Sequence, residues 1–417
     1  MLVTTLLHHV EKYKSFVYEK VCWSDDQKSL EVHVRPRSNS RPVCSGCGCH
    51  ASRYGHTRDQ RRFRYVPLWK IPVYFVYRMR RVQCQRCGVK VEQVPWSQDG
   101  KSPRTKSWSW FLAGWAKRLS WKETADVFDT SWQAVFRSIR YAVYWGLVHV
   151  DFSGVEAIGI DEIARRKGHR YMTLIYQIDE GRKRLLYVAR ERTKEALASF
   201  FRVFGRERSE QLKFVVSDMW QPYLDMVNEH AGQAVHVLDR FHVMKKMNEA
   251  IDQVRREEVK QMKADGYEPL LHHSRWCLLK REENLTEKQA AKLSELSQYN
   301  LKSLRARLQR EDFQRFWQYR SPYWAGRLLH DWCVRAMRSR LEPMKKVAGT
   351  LRQHRDLLLN WFRAKGRFSA GVVEGLNNKA KVTMRKSYGF RSPETLELAL
   401  YHNLAKLPQP KFTHTFW

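Results

Sequence analysis

The stretch that most narrows the folds open to this chain is Gly154-Val-Glu-Ala-Ile-Gly-Ile-Asp-Glu-Ile163, an apolar run that delivers the carboxylate of Asp161 at its end. Hydrophobic residues crowd it and the polar turn Arg165-Arg-Lys-Gly168 follows, which predicts a buried strand whose last residues reach a sheet edge. A carboxylate there can hold a metal ion. Two more strands follow at hairpin distance, Tyr171–Ile178 and Arg184–Ala189, separated by Asp179-Glu-Gly181 with Gly placed for positive φ. The hydrophobic period then changes. Lys194–Phe204 predicts a helix, Lys213–Ser217 a short buried strand ending at Asp218, Gln221–His230 a second helix, and Ala234–Leu238 a strand ending at Asp239.

This βββαβαβ order is that of a ribonuclease H-like mixed sheet, an α/β core in which the first and fourth strands lie side by side. That adjacency would bring Asp161 and Asp218 together. Asp239 ends a strand one position farther out. With neighbouring strands about 4.8 Å apart, its simpler role is to cap the next helix or pair with Arg240. A third acid lies far away in sequence, on a helix bounded by Ser369 as N-cap and Gly389 beyond the last turn. Glu374, Asn378, Lys381 and Arg385 recur there at steps of four, three and four, which places them on one face. Such a face suits a carboxylate that ligates metal while its neighbours grip phosphate; the plainer alternative is a solvated charged side.

Toward the N-terminus, Leu2–Val10 is a leading apolar stretch and Leu30–Arg35 alternates as a strand. Cys44-Ser-Gly-Cys47 is then answered by Cys84-Gln-Arg-Cys87. In a reducing compartment paired CxxC units are metal ligands rather than disulfides, and tetrahedral zinc takes four thiolates. Gly follows each unit, as a tight knuckle turn needs, and the segment between alternates over Arg61–Tyr65 and Val73–Val82, so a zinc ribbon is expected. Cys49 and His50 are alternative ligands, whereas Cys22, Cys277 and Cys333 stand alone and suit burial. Pro103 opens a helical block of Thr105–Arg118, Trp121–Phe128 and Trp132–Leu147, with Ser120 and Thr130-Ser131 as caps. The last two helices read as a helix-turn-helix with Ser131–Arg140 as recognition helix and Gln133, Arg137 and Arg140 as candidate DNA contacts; a plain three-helix linker is the alternative.

Lys and Arg number 76 against 43 acids, a net charge of +33 spread over the whole chain. Self-repulsion on that scale points to a polyanionic partner, and nucleic acid fits best. Membrane surface is the weaker partner, because no apolar run approaches the roughly 18 residues of a spanning helix. The start lacks a signal-peptide pattern, so a cytoplasmic, nucleoid-associated protein is expected. The 417 residues divide into 1–100 with the zinc ribbon, 101–150 with the helix-turn-helix, 151–240 as the first part of the catalytic domain, 241–367 as a basic all-α insertion, and 368–417 as the last part of that domain with a helix over Pro393–Leu404 and a tail.

Six motifs carry a family resemblance: Gly159-Ile-Asp-Glu162, Arg166-Lys-Gly-His-Arg-Tyr171, Ser217-Asp-Met-Trp220, Asp239-Arg-Phe-His242, Glu374-Gly-Leu-Asn-Asn378 and Tyr388-Gly-Phe-Arg391. In this order, and over nearly the whole chain, they resemble the ISL-three family of bacterial insertion-sequence transposases. Lys386-Ser387 before Tyr388 is a minor departure, a second base being commoner there. The resemblance implies a DDE transposase in which Asp161, Asp218 and Glu374 bind two Mg2+ ions per active site, with Mn2+ as substitute. Its partners would be the terminal inverted repeats and target duplex, bound by a homodimer or higher oligomer. Water would first free a 3′-hydroxyl at the element end, which would then attack target DNA. A metal-lowered water pKa leaves His169 and His242 without a required catalytic role, and Asp239 and His242 are expected as site neighbours. Two rival classes are a zinc and helix-turn-helix regulator and a structure-specific nuclease on the same sheet.

Overall fold

The computed structural model describes residues 2–98, 102–166, 170–267, 270–364, 370–386, 390 and 392–411. They form two compact units, one of residues 1–151 with 382–417 and the other of residues 152–381. The first unit thus takes in 382–417, which the sequence reading attached to the catalytic part.

The first unit begins with α1 (Val3–Val10), β1 (Phe16–Trp23) and β2 (Leu30–Pro36). After β3 (Ser52–His56) come β4 (Arg61–Leu68), β5 (Ile71–Tyr77), β6 (Arg80–Cys84) and β7 (Gly88–Val91). These strands build two sheets, β1-β2-β5-β4 and β3-β6-β7. The expected continuous strand Val73–Val82 is broken at residues 78–79, and the β4–β5 hairpin leaves the cysteine sheet to pair in parallel with β2. Alternation explains the choice: Phe63, Tyr65, Val73, Phe75 and Tyr77 turn one face onto Phe16, Val32 and Trp96, a buried aromatic core the cysteine sheet could not supply.

Three helices follow, α2 (Lys106–Trp115), α3 (Trp121–Val127) and α4 (Trp132–Val148). Thr105, Ser120 and Ser131 cap them, Ser120 in a reciprocal box with Glu123, each supplying the oxygen that a first-turn N–H lacks.

The second unit opens with β8 (Ala157–Arg166), β9 (Arg170–Asp179) and β10 (Arg182–Ala189). Then come α5 (Lys194–Phe204), α6 (Arg206–Glu210), β11 (Phe214–Ser217), α7 (Gln221–Ala231) and β12 (Val235–Leu238). Their sheet has the order β10-β9-β8-β11-β12, with β8, β11 and β12 parallel. The first and fourth strands of the unit are therefore neighbours. Leu197, Phe200, Phe201 and Phe204 of α5 bury one face of this sheet with Tyr223 and Val227 of α7. Val215, Val216, Val237 and Leu238 are all buried, as short parallel strands covered on both faces require. One expectation is corrected: β8 does not end at Asp161 but pairs with β9 as far as Arg166 opposite Arg170, so the acid lies mid-strand.

From β12 the chain runs only through helices among the described residues: α8 (Arg240–Ala264), α9 (Arg275–Leu279), α10 (Glu287–Ser297), α11 (Lys302–Gln314), α12 (Pro322–Arg338), α13 (Glu342–Gln353) and α14 (Arg355–Arg363), with two short 3-10 turns. They share an apolar core that includes Phe313, Phe316, Trp332 and Phe362. Asn360 of α14 donates to the His236 carbonyl of β12 at 2.8 Å, tying this helical block to the sheet edge. α15 (Ala370–Lys386) follows, its expected end markers Ser369 and Gly389 lying outside the described residues. The last helix, α16 (Pro393–Leu404), is part of the first unit, where Leu407 just beyond it lies against Gly146 of α4. No helix among the described residues is long and apolar enough to cross a membrane.

Candidate functional site

Asp161 on β8 and Asp218 at the end of β11 sit on neighbouring parallel strands whose register pairs Val216 with Gly159. Both side chains are 14% exposed. Burial pushes the Asp161 carboxyl above its ordinary range, opposed by His242 and the Glu162 backbone N–H and reinforced by Asp239 and Asp218. Glu162 is likewise raised by burial and by repulsion from Asp218, with Arg192 opposing. Partly buried carboxylates that resist ionisation, as Asp161 and Glu162 do, form a site that gains from a cation.

Asp239 caps α8 by accepting from the Phe241 N–H at 2.8 Å, the role expected from sequence; the pairing with Arg240 does not form, and that guanidinium lies over Trp317 instead. The link between Asp239 and Asp161 is His242. Its Nδ1 is 3.1 Å from Asp239 Oδ2 and its Nε2 is 3.9 Å from Asp161 Oδ1. Burial alone would depress this imidazole, but the Asp239 hydrogen bond and the surrounding carboxylates hold it above its ordinary value.

Glu374 is exposed on α15, and that helix docks on β8 immediately beside Asp161. Two contacts bring it there. A Cβ on Gly159 would meet Val373 Cγ2 at 2.6 Å, so the glycine admits the helix. Asn377 donates its amide to Asp161 Oδ2 and accepts from the Tyr176 hydroxyl at 2.8 Å. Asn377 and Arg192 are site residues that the sequence reading missed. Asn377 is buried while the adjacent Asn378 is exposed together with Lys381 and Arg385. A helix period alone could not rank the two amides without knowing which face meets the sheet. Arg192 places Nη2 3.1 Å from Asp218 Oδ2 and Nε 2.8 Å from Glu162 Oε1, the latter a charge contact without hydrogen-bond alignment, and its guanidinium lies over the Trp220 ring. It follows the β10 strand in a polar stretch with no distinguishing pattern.

Among the described residues only Cys44, Cys47, Cys84 and Cys87 form a set whose ligand atoms all lie within 4.8 Å of one another; Asp161, Asp218 and Glu374 do not converge that closely. The Cys47 and Cys84 sulfurs are 3.6 Å apart. Zn–S bonds of about 2.3 Å give tetrahedral edges of about 3.8 Å, so the four thiols fit such an ion. The loops explain the geometry. Gly48 and Gly88 adopt positive φ of 73° and 67° just after each CxxC pair, and a Cβ on Gly46 would stand 3.0 Å from Cys87 Sγ. Cys49 and His50 lie outside the set.

In the first unit Gln133, Arg137 and Arg140 are exposed along α4, while Ala134, Val135, Ser138 and Ile139 are buried. The polar face is presented by one helix that continues to Val148, longer than the expected recognition helix.

Comparison with known proteins gives consistent results. A family described as Transposase, the ISL3 type of DDE transposases, matches residues 158–400. The transposase for insertion sequence element IS1001 of Bordetella parapertussis is 28% identical over 399 residues, 94% of this chain and 96% of that protein. The transposase for insertion sequence element IS1557 of Mycobacterium tuberculosis is 28% identical over 397 residues, covering 89% of this chain and 87% of that protein.

Proposed function

The chain belongs to the ISL3 family of transposases, and from that premise we propose that it binds the terminal inverted repeats of its insertion sequence, cleaves the ends and joins the freed 3′-hydroxyl to target DNA. The observation that carries this reading is the meeting of three elements: β11 with Asp218 beside β8 with Asp161, and α15 with Glu374 docked on β8 through Gly159 and Asn377. That arrangement supports a ribonuclease H-like core, which would collect acids from separated segments.

The donors are all carboxylate oxygens, the ligand type that hard divalent cations prefer. Two Mg2+ ions, or Mn2+ in their place, held by Asp161, Asp218 and Glu374 would stabilise the attacking and leaving oxygens of each phosphoryl transfer. The surrounding side chains act on the acids themselves. Asn377 fixes the rotamer of Asp161, Arg192 holds Asp218 against its strand end, and His242 keeps Asp239 turned toward its helix cap. Asn378, Lys381 and Arg385 extend the exposed face of α15 and would engage phosphates of the bound strand.

A structural Zn2+ on the four cysteines would hold the knuckles of residues 1–100. Residues 101–150 would form the helix-turn-helix, with Gln133, Arg137 and Arg140 reading an end. The catalytic domain would then comprise 151–240 and the part of 368–417 that lies in the second unit, around an all-α insertion over 241–367. The active assembly would be a homodimer or higher oligomer on nucleoid DNA.

The test is a reaction of full-length protein with Mg2+, a duplex carrying the flanking repeat of its own element, and a second duplex as target. Wild-type protein should cut at the element end and join that end to the target. Asp218→Asn should abolish cutting with end binding intact, whereas Asp239→Asn should leave measurable cutting. A cutting Asp218→Asn variant beside a dead Asp239→Asn variant would reverse the assignment of the second acid.

A further inference from the structure

A cleft of about 910 Å³ opens in the first unit between the segment after β2 and the cysteine loops. Arg37, Arg41, Arg53, Arg80 and Arg86 line it, and among the described residues no Asp or Glu does. Arg80 is the neutralised member. It is 4% exposed and grips Glu92 through Nε at 2.8 Å and Nη2 at 2.7 Å. Its Nη1 reaches both the carbonyl and the hydroxyl of Ser40, at 3.0 and 3.1 Å. This buried pair therefore pins the 37–42 segment to β6 and gives the cleft a fixed wall. The other four arginines are exposed, and among the described residues none has a carboxylate at ion-pair distance.

Four unneutralised guanidiniums lining one cleft repel one another and destabilise the fold unless an anion joins them. Offsetting the charge of a metal–thiolate centre would account for Arg86, which sits inside the second CxxC pair. It does not account for Arg37 and Arg41, which belong to the segment pinned by Arg80. Guanidinium forks match phosphate oxygens bidentately, and duplex DNA is the polyanion this chain acts on in the function proposed above. We propose that this cleft seats the phosphate backbone of duplex DNA beside the cysteine centre, a contact that adds affinity without reading sequence and is separate from the exposed face of α4. The inference rests on that proposed end binding and adds a second point of attachment to it.

The experiment measures binding of full-length protein to an element-end duplex and to an unrelated duplex of equal length across a salt series. Wild type is compared with a combined Arg37→Ala, Arg41→Ala, Arg86→Ala variant and with its Arg→Lys counterpart. Each lost phosphate contact should lower the slope of log affinity against log salt by about 0.9, so the alanine variant should lose about 2 to 3 in slope and roughly tenfold or more in affinity. The loss should be equal for both duplexes, zinc content should stay at the wild-type level, and the lysine variant should keep most of the slope. An unchanged slope in the alanine variant overturns the cleft as a phosphate site. So does a loss confined to the element-end duplex, which means base reading, or a loss matched by departure of zinc. Wild-type protein with no preference for the element end would instead count against the end-binding function.

Discussion

Asn377 shows how one side chain joins the candidate site to the fold. Both ends of its amide are engaged, the oxygen accepting from Tyr176 and the nitrogen donating to Asp161, so its orientation is fixed by partners of opposite hydrogen-bonding character. Asn377→Ala would leave a buried hydroxyl and a half-buried carboxylate oxygen unpartnered, which destabilises by about 1–3 kcal/mol. Residues that orient metal ligands typically change metal affinity or activity 10–100-fold when removed. Asn377→Ala is therefore expected to weaken Mn2+ binding and slow end cleavage by about that factor, while Asn378→Ala, on the exposed side, should leave both metal binding and thermal stability near wild type. Calorimetric Mn2+ titration of the two variants checks this, and equal metal affinity in both would remove Asn377 from the site.

The docking of α15 on β8 depends on a missing side chain. Val373 occupies the space a Cβ at Gly159 would need, with an approach of 2.6 Å that real structures do not tolerate. Gly159→Ala must push the helix outward or distort the strand, and overpacking of this kind costs about 1–3 kcal/mol. Because Asn377 and Glu374 ride on the displaced helix, cleavage should fall by more than the stability loss alone explains. Adding Val373→Ala vacates the contested space, so the double variant should recover both stability and cleavage relative to Gly159→Ala. Urea unfolding and single-turnover cutting of the three variants would show it. A double variant as poor as the sum of the singles would mean the glycine serves some other purpose than helix approach.

Across the molecule, buried histidines link stability to pH, two of them most strongly. His402 on α16 is pushed down to about 3 by burial, with Lys117 and Lys386 adding to the effect. His236 on β12 is pushed down to about 4 by burial, beside the Ser217 hydroxyl at 2.8 Å. Both are neutral in the fold yet take up a proton near pH 6.5 when unfolded. The unfolded chain thus binds more protons below that pH, and the stability these groups contribute is full above about 6.5 and is lost as pH falls toward 4 and 3. Each can cost up to about 1.4 kcal/mol per pH unit in that window. His242, whose value is raised, acts in the opposite sense, its contribution present at low pH and lost as pH rises. The melting temperature should be lower at pH 5 than at pH 7, and His402→Gln, which keeps a polar side chain but does not titrate, should narrow that gap. An unchanged gap in the variant would show that His402 is protonated or solvated in the folded state.

Features that depend on near neighbours were legible in the sequence. The alternation in residues 171–189, the switch of period at Lys194, the caps at Ser120 and Ser131, and the glycines after each CxxC pair are all written within a few residues of where they act, and the elements form there. The strand order of the second unit was legible as well, because short connections leave few ways to arrange three antiparallel strands followed by alternating helices and strands. The rest depends on partners far along the chain. The β4–β5 hairpin could have stayed with the cysteine strands, and the aromatic core around Trp96 drew it to β2 instead. Asp161 moved to mid-strand because β9 extends the ladder to Arg166. The choice of Asn377 over Asn378 was made by the rotation of α15 against β8, and the bond of Arg192 to Asp218 by the packing of a loop whose own sequence carries no signal. Periodicity says which residues share a face; only the packed neighbour says which face is turned inward.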